Sequence, residues 1–473
     1  MTQPDDLVEP RELRSWFAAS MSELYRKEVP LYSSLLDVVS KVNQDKLKND
    51  AALRQELENS DSLARLGLER HGAIRLGSDD ELVELTAFLR LLDMHPVGYY
   101  DLSAPPAHLP IHATCFRSVT PSSLKYSPFR LFVSILRPDL LPADPSIRQM
   151  VQTSIRSRKL FPPEVAQLVA QAALHNHQLP RHSAEQLIKL AIPSFAFHAR
   201  SALTSSEYAL LAKSSLLLAD IVAFPNPHIN HLTPRTLDID AVQDALVADP
   251  TFEAKAGGIE GPPPSKCPIL LRQTSFCAVE ETVPFSDGTI GKHAARFGEI
   301  EQRGAAVTPA GRALYDKMLA SNSWGALLDK DWEALRTSGL IWVQYRPVPG
   351  AQKDNVVVSQ PEGETLLPTI DQVISQLLAD GKLFYAHQIY EDFLPLSAAG
   401  IFQSNLGTSS HRDTSLCTAS SPTPGGPVTG REQLQDVLAR AGAVLRDEME
   451  VYKSVEEQSK RECVELFGIK TRD

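Results

Sequence analysis

The chain has 473 residues, 43 % hydrophobic and 22 % charged, with 34 prolines; this is the composition of an ordinary globular protein with many irregular connections, not of a fibre or a disordered chain. A formal net charge of −11 argues against a nucleic-acid surface, which needs clustered Lys and Arg, and favours a small-molecule partner. Five cysteines without Cys-x-x-Cys spacing suggest neither a disulfide framework nor a structural zinc site, no apolar run approaches the roughly 20 residues that span a bilayer, and the N-terminus lacks a signal or transit pattern, so a cytoplasmic, membrane-free protein is expected.

Along the chain, apolar side chains at helical spacing (Leu13, Trp16, Phe17, Met21, Leu24, then Tyr32, Leu35, Leu36, Val39 and Val42) predict a helical layer over 1–67. The texture then changes. Residues 71–77 alternate like a strand, 79–92 begin with a Ser-Asp-Asp N-cap and run as a helix, and 97–102, 111–119 and 129–136 are again extended. This makes a β-α-β-β-β unit over 68–137. Residues 138–222 are helical and interrupted by prolines, which reads as an insertion. A second unit of the same order is expected over 223–304: extended at 229–237, helical at 239–247, then strands at 269–280 and 293–302, with one strand hard to place. A cover over 305–408 follows, with a helix at 309–320, a strand at 340–346 and a helix at 370–378. The segment 409–430, rich in Ser, Thr, Pro and Gly, reads as a flexible loop, and 431–466 as one charged amphipathic helix within a tail over 431–473.

Two histidines and a carboxylate stand out. His71 opens the first strand of the first unit and His231 the corresponding strand of the second, in Asn230-His-Leu-Thr-Pro-Arg235. Taken singly, each is an ordinary structural histidine; their equivalent positions suggest a shared role. His228 lies three residues before His231, but Pro227 and Pro234 make the segment extended and put the two on opposite faces. Glu299 and Glu301 share one face of the later strand, where neighbouring carboxylates repel unless a cation or proton separates them. Arg303 could satisfy them, and the segment leaves open which of the two would bind a metal. Two histidines and one carboxylate leave positions free on a six-coordinate ion, the arrangement of non-haem Fe(II) oxygenases. Arg75 lies on the face of His71, about 14 Å along the strand at ~3.4 Å per residue, and its planar fork suits a substrate carboxylate.

Other signals fail. His411-Arg-Asp413 has no later histidine to complete a jelly-roll oxygenase site, Gly288-Thr-Ile-Gly-Lys292 is not a full phosphate loop, and no Gly-x-Ser-x-Gly turn occurs.

Arg70-His-Gly-Ala-Ile-Arg75, Asn230-His-Leu-Thr-Pro-Arg235, Leu271-Arg-Gln-Thr-Ser-Phe276, the segment 296–304 and Leu396-Ser-Ala-Ala-Gly-Ile-Phe402 resemble the 2-oxoadipate dioxygenase/decarboxylase family over roughly 10–408. The resemblance implies an α+β fold of two β-α-β-β-β units of vicinal-oxygen-chelate type, cupped around a metal and carrying large helical insertions. It further implies Fe(II) held by His71, His231 and Glu299, the first glutamate of the pair; Arg75 as a substrate-binding residue; Ser397 as a pocket contact; and Gln273 or Arg272 in support. The implied reaction converts a 2-oxo acid, 2-oxoadipate, and O₂ to 2-hydroxyglutarate and CO₂. Two alternatives keep the scaffold: a ring-cleaving dioxygenase or isomerase, and a non-catalytic binding protein.

Overall fold

A computed structural model of the chain describes residues 7–472 except 61, 105–107, 157, 255–257, 322, 352–366 and 395–428. It is α+β. Among these residues no helix is long and apolar enough to cross a membrane.

Strand β1 (Arg70–Leu76) is followed by a helix, Asp79–Leu91, whose start is set by a capping box: the Ser78 side chain takes the Glu81 N–H, and the Glu81 carboxylate takes the Ser78 N–H. Strands β2 (His95–Asp101), β3 (Ile111–Arg117) and β4 (Arg130–Leu136) follow. With β5 (Ile229–Pro234) they form a five-stranded sheet in the order β2-β3-β4-β1-β5, where β1 runs parallel to β4 and antiparallel to β5. Further on, β6 (Glu253–Ala254), β7 (Leu271–Pro284) and β8 (Ile290–Arg303) form a second sheet in the order β8-β7-β6. A parallel bridge between Arg235 and Glu301, with the Thr236 N–H donating to the Glu301 carbonyl at 2.8 Å, joins the end of β5 to β8. The two sheets thus meet at that seam.

The two-residue pitch of the strands sorts their side chains between two apolar cores. Ile74, Leu131, Val133 and Ile135 pack on the helical side, where Phe17 of helix Pro10–Glu28 meets Phe88, Phe129 and Phe195 edge to face at 5.4–5.6 Å. Ala73, Phe132 and Cys115 point the other way, into the hollow of the sheet. Arg14 of the same helix is buried, and its guanidinium donates to the carbonyls of Ser127, Leu92 and Ser123 at 2.7–2.9 Å. It pins the N-terminal layer to the turns at one end of the sheet.

The expected strands at 71–77, 97–102, 111–119 and 129–136 appear within a few residues of their bounds, and the strand that was hard to place is the two-residue β6, set against Cys277 and Phe276 of β7. The tail departs from expectation. Instead of one helix over 431–466 there are two, Gly430–Arg440 and Glu448–Leu466. Gly442, at φ +67°, turns the chain after the first, and Asp447 caps the second by accepting from the N–H groups of Met449 and Glu450. The amphipathic pattern of the two helices runs on across the break, which is why the sequence reads as one.

Candidate metal centre

His71 lies opposite Arg130 on one neighbouring strand and Thr233 on the other, and His231 lies opposite Ala73. Residues paired across strands share a face, so both imidazoles enter the hollow. Glu299 reaches it from β8, brought alongside β5 by the bridge at Arg235. Two glycines in the segment 296–304 allow this approach. A Cβ on Gly298 would lie 2.0 Å from the ring of Phe276, and one on Gly304 would lie 2.1 Å from the Pro268 carbonyl oxygen.

All three side chains are at most 2 % exposed. Oε2 of Glu299 lies 2.9 Å from Nε2 of His231 and 3.7 Å from Nε2 of His71, and one donor atom from each residue falls within 4.8 Å of the others. Donors about 2.1 Å from one ion stand at most ~4.2 Å apart, so less than about an ångström of closure lets the three share a cation. Thr233 donates its hydroxyl to Oε2 of Glu299 at 3.2 Å, and Gln273 donates its amide to Oε1. Arg272, its neighbour, turns away to Asp240.

The electrostatics separate Glu299 from every comparable group. Seven carboxylates are buried among the described residues. Glu69, Glu81, Asp220, Glu301, Glu391 and Asp392 each contact a guanidinium, whereas the ion-pair partners of Glu299 are the two imidazoles. Burial pushes its carboxyl pKa up, but His231 and His71 outweigh this and hold it at about 2. Burial also lowers His231; at His71 the same penalty is more than offset by Glu301 and Glu299, and the ring is raised. A buried anion facing two nitrogen donors and no fixed cation suits a divalent metal, and this donor set suits Fe(II).

Glu301 has a different task. It takes Arg303 through both oxygens at 2.8 and 2.9 Å. Its Oε2 also lies 2.8 Å from Nδ1 of His71. The contact fixes the far side of the imidazole, so that Nε2 faces Glu299.

His228 is apart from the three, with Nε2 3.4 Å from Asp220. Arg75 shares the His71 face as expected, but its guanidinium is already held by Asp220 at 2.6 Å. Ser397 and the segment 396–402 lie outside the described residues.

Sequence reasoning placed 383–402 against the site but named none of the residues in the strap that floors the hollow. Phe393 packs edge-on against the His71 ring at 4.8 Å and against Phe132 at 5.1 Å, with Arg303 over its own ring. Beside it, Glu391 pairs with Arg130, and Asp392 takes Arg117 through two hydrogen bonds of 2.7 Å. Tyr452, from the C-terminal helix, accepts the Glu391 N–H at 2.7 Å and donates to Asp392 at 2.6 Å. The run Tyr390-Glu-Asp-Phe393 hints at such a strap only through two acids between aromatics; nothing around Tyr452 signals that it reaches the site.

Comparison with known proteins gives this arrangement its context. Residues 17–405 match the family described as 2-oxoadipate dioxygenase/decarboxylase. A 2-oxoadipate dioxygenase/decarboxylase of Pseudomonas putida is 38 % identical over 98 % of this chain and 99 % of that protein; one from Escherichia coli is 39 % identical over 96 % and 98 %. The crystal structure of hydroxyglutarate synthase from Pseudomonas putida in complex with 2-oxoadipate superposes with a TM-score of 0.82 at 36 % identity, covering 98 % of this chain and all of that one. The chain belongs to the 2-oxoadipate dioxygenase/decarboxylase family.

Proposed function

We propose that the chain is an Fe(II)-dependent dioxygenase that decarboxylates 2-oxoadipate, consuming O₂ and yielding 2-hydroxyglutarate and CO₂, and that it works in the cytoplasm. The observation that carries this reading is Glu299, a buried carboxylate set between two imidazoles while the other buried carboxylates contact arginines. Family membership supplies the substrate class, and the relative crystallised with 2-oxoadipate supports it.

In this reading His71, His231 and Glu299 hold the metal. Fe(II), when bound, supplies a place for O₂ beside the 1-carboxylate and 2-oxo group of the substrate, and the redox chemistry between them. The chain's own residues bind, orient and exclude water. Gln273 and Thr233 fix the two oxygens of Glu299, and Glu301 fixes His71. Phe393 and Phe132 wall the hollow with apolar surface. Arg75 takes the distal carboxylate, and Ser397 contacts the substrate from the segment 396–402. In this reading the fold is of the vicinal-oxygen-chelate type: the units at 68–137 and 223–304 both follow the order β-α-β-β-β, the first with a short helix, Pro121–Tyr126, added before its last strand, and they join through β1 and β5. The helical regions 1–67 and 138–222 and the α/β cover over 305–408 enclose them.

His71→Ala, His231→Ala and Glu299→Ala are each expected to abolish iron binding and O₂ uptake with 2-oxoadipate. Native turnover in any iron-depleted single variant contradicts the assignment.

A further inference from the structure

The hollow face of the sheet runs in rows from the metal site towards Arg75. His71 stands beside Arg130 and Thr233, Ala73 beside Phe132 and His231, and Arg75 beside Ser134, which has Ala113 of β3 on its other side. Successive rows lie about 7 Å apart, two residues at ~3.4 Å each. Between the donors of the metal site and Arg75, the side chains of Ala73, Phe132 and Cys115 present apolar surface. The row beyond them is polar again, with a guanidinium and a hydroxyl side by side. A dicarboxylic 2-oxo acid has the same order of groups: a chelating end, a run of methylenes and a distal carboxylate.

The hydroxyl is the group without a task. Ser134 is 2 % exposed. Strand alternation puts its side chain on the face of Phe132, while Val133 and Ile135 on either side pack into the helical core. Its hydroxyl makes no hydrogen bond among the described residues, and neighbouring atoms do not seal it over, so it borders the hollow. The hydroxyl of Thr233, on the same face beside the metal site, is by contrast bonded to Glu299. A buried polar group left unbonded is uncommon in a native fold and costs stability until a partner reaches it. Arg75 gives the direction from which a partner comes. Its Nη1 is turned to Asp220, on the helix Leu216–Ala223, at 2.6 Å. Part of the guanidinium fork is thus committed, and a carboxylate docking there has a lone pair to spare for a second donor.

We propose that Ser134 is a further substrate-binding residue, whose hydroxyl donates to the distal carboxylate of a dicarboxylic 2-oxo acid held at Arg75. This rests on the reading of Arg75 as the carboxylate anchor. The hydroxyl sharpens the choice of substrate, because a site built to hydrogen-bond one group rejects an analogue that lacks it. A 2-oxo acid that ends in a methyl group leaves Ser134 unbonded, as it is in the ligand-free chain.

The test is calorimetric titration of the anaerobic, Fe(II)-loaded chain, native and Ser134→Ala, with 2-oxoadipate and with 2-oxohexanoate, which carries a methyl group in place of the distal carboxylate. Ser134→Ala is expected to weaken 2-oxoadipate by about 10- to 100-fold, the loss that goes with one hydrogen bond to a charged group, while 2-oxohexanoate stays level. Thermal melts separate this from a structural role. The ligand-free variant is expected to melt no lower than the native chain, since it loses a hydroxyl that has no partner, and only the rise in melting temperature on adding 2-oxoadipate shrinks. An equal loss for the two acids, a ligand-free variant that melts lower, or undiminished binding of 2-oxoadipate each overturns the proposal. Arg75→Met in the same titration tells its failure from that of the anchor: if Arg75→Met abolishes the preference for 2-oxoadipate and Ser134→Ala leaves it whole, Ser134 alone is wrong; if Arg75→Met keeps the preference, the anchor is wrong and the role of Ser134 falls with it.

Discussion

Glu299 and Glu301 show what a residue's surroundings add to its identity. On the strand they are two residues apart on one face, and the segment alone does not rank them; the resemblance to the family picks Glu299. Three-dimensional neighbours give the physical difference, since Glu299 looks at imidazoles and Glu301 at Arg303 and the back of His71. Glu301→Gln keeps the shape but removes the charge behind the imidazole. Loss of such an outer partner typically costs 10- to 100-fold in metal affinity, so anaerobic Co(II) titration followed by absorbance is expected to show weakening of that order with the three donors still present. Unchanged affinity would make Glu301 a purely structural partner of Arg303. Arg75 was legible as a residue aimed into the hollow, but its pairing with Asp220 was not, because Asp220 comes from a helix in the region read simply as an insertion.

At the scale of elements, strands with strict alternation and helices with caps were readable because their signals are local. The break at Gly442 was not, and neither was the partner of the last helix. That helix brings Tyr452 to Asp392 and Glu391, next to the strap that holds Phe393 on His71. Tyr452→Phe removes the hydroxyl that both accepts and donates there. Losing a buried hydrogen bond to a charged group costs about 1.5–3 kcal/mol, and chemical denaturation is expected to show a loss of that size, with a lower kcat and metal affinity near native. At the other end, Arg14→Leu leaves three carbonyls without their buried donor. A destabilisation of about 3 kcal/mol or more is expected in the same assay; a loss under 1 kcal/mol would mean that the N-terminal layer is held by its apolar face alone.

For the molecule as a whole, the unreadable part is closure. No local pattern says that β5 lies between β1 and β8, yet that order is what unites residues 71, 231 and 299. The same burial that makes the site also sets the response to acid. Burial pushes His112, His228 and His387 down to about 4, whereas in an unfolded chain an imidazole titrates near 6.5. Between these values the unfolded state binds more protons than the folded one, so stability falls as pH falls. Glu448, whose carboxyl is pushed up to about 8 by burial and by Asp392, works in the opposite direction across this window, while His71, raised in the metal-free protein, is protonated in both states below about 6.5 and adds no slope there. Three imidazoles against this one carboxyl leave a net slope of about two protons, or about 2–3 kcal/mol per pH unit at ~1.4 kcal/mol for each, and His231, also lowered by burial, adds to it. Below about pH 4 the carboxyls of Glu299 and Glu391, held near 2, extend the loss. Denaturant melts of the metal-free chain at pH 6.5, 5.5 and 4.5 check this, and stability that stays level over the range contradicts it.

The central claim is that one iron sits among His71, His231 and Glu299. It is tested most directly by anomalous diffraction at the iron edge from crystals of the chain loaded anaerobically with Fe(II). A single strong peak within bonding distance of Nε2 of both histidines and a carboxylate oxygen of Glu299 is the predicted result. A peak bound elsewhere, or none at this position in iron-replete crystals, would contradict it.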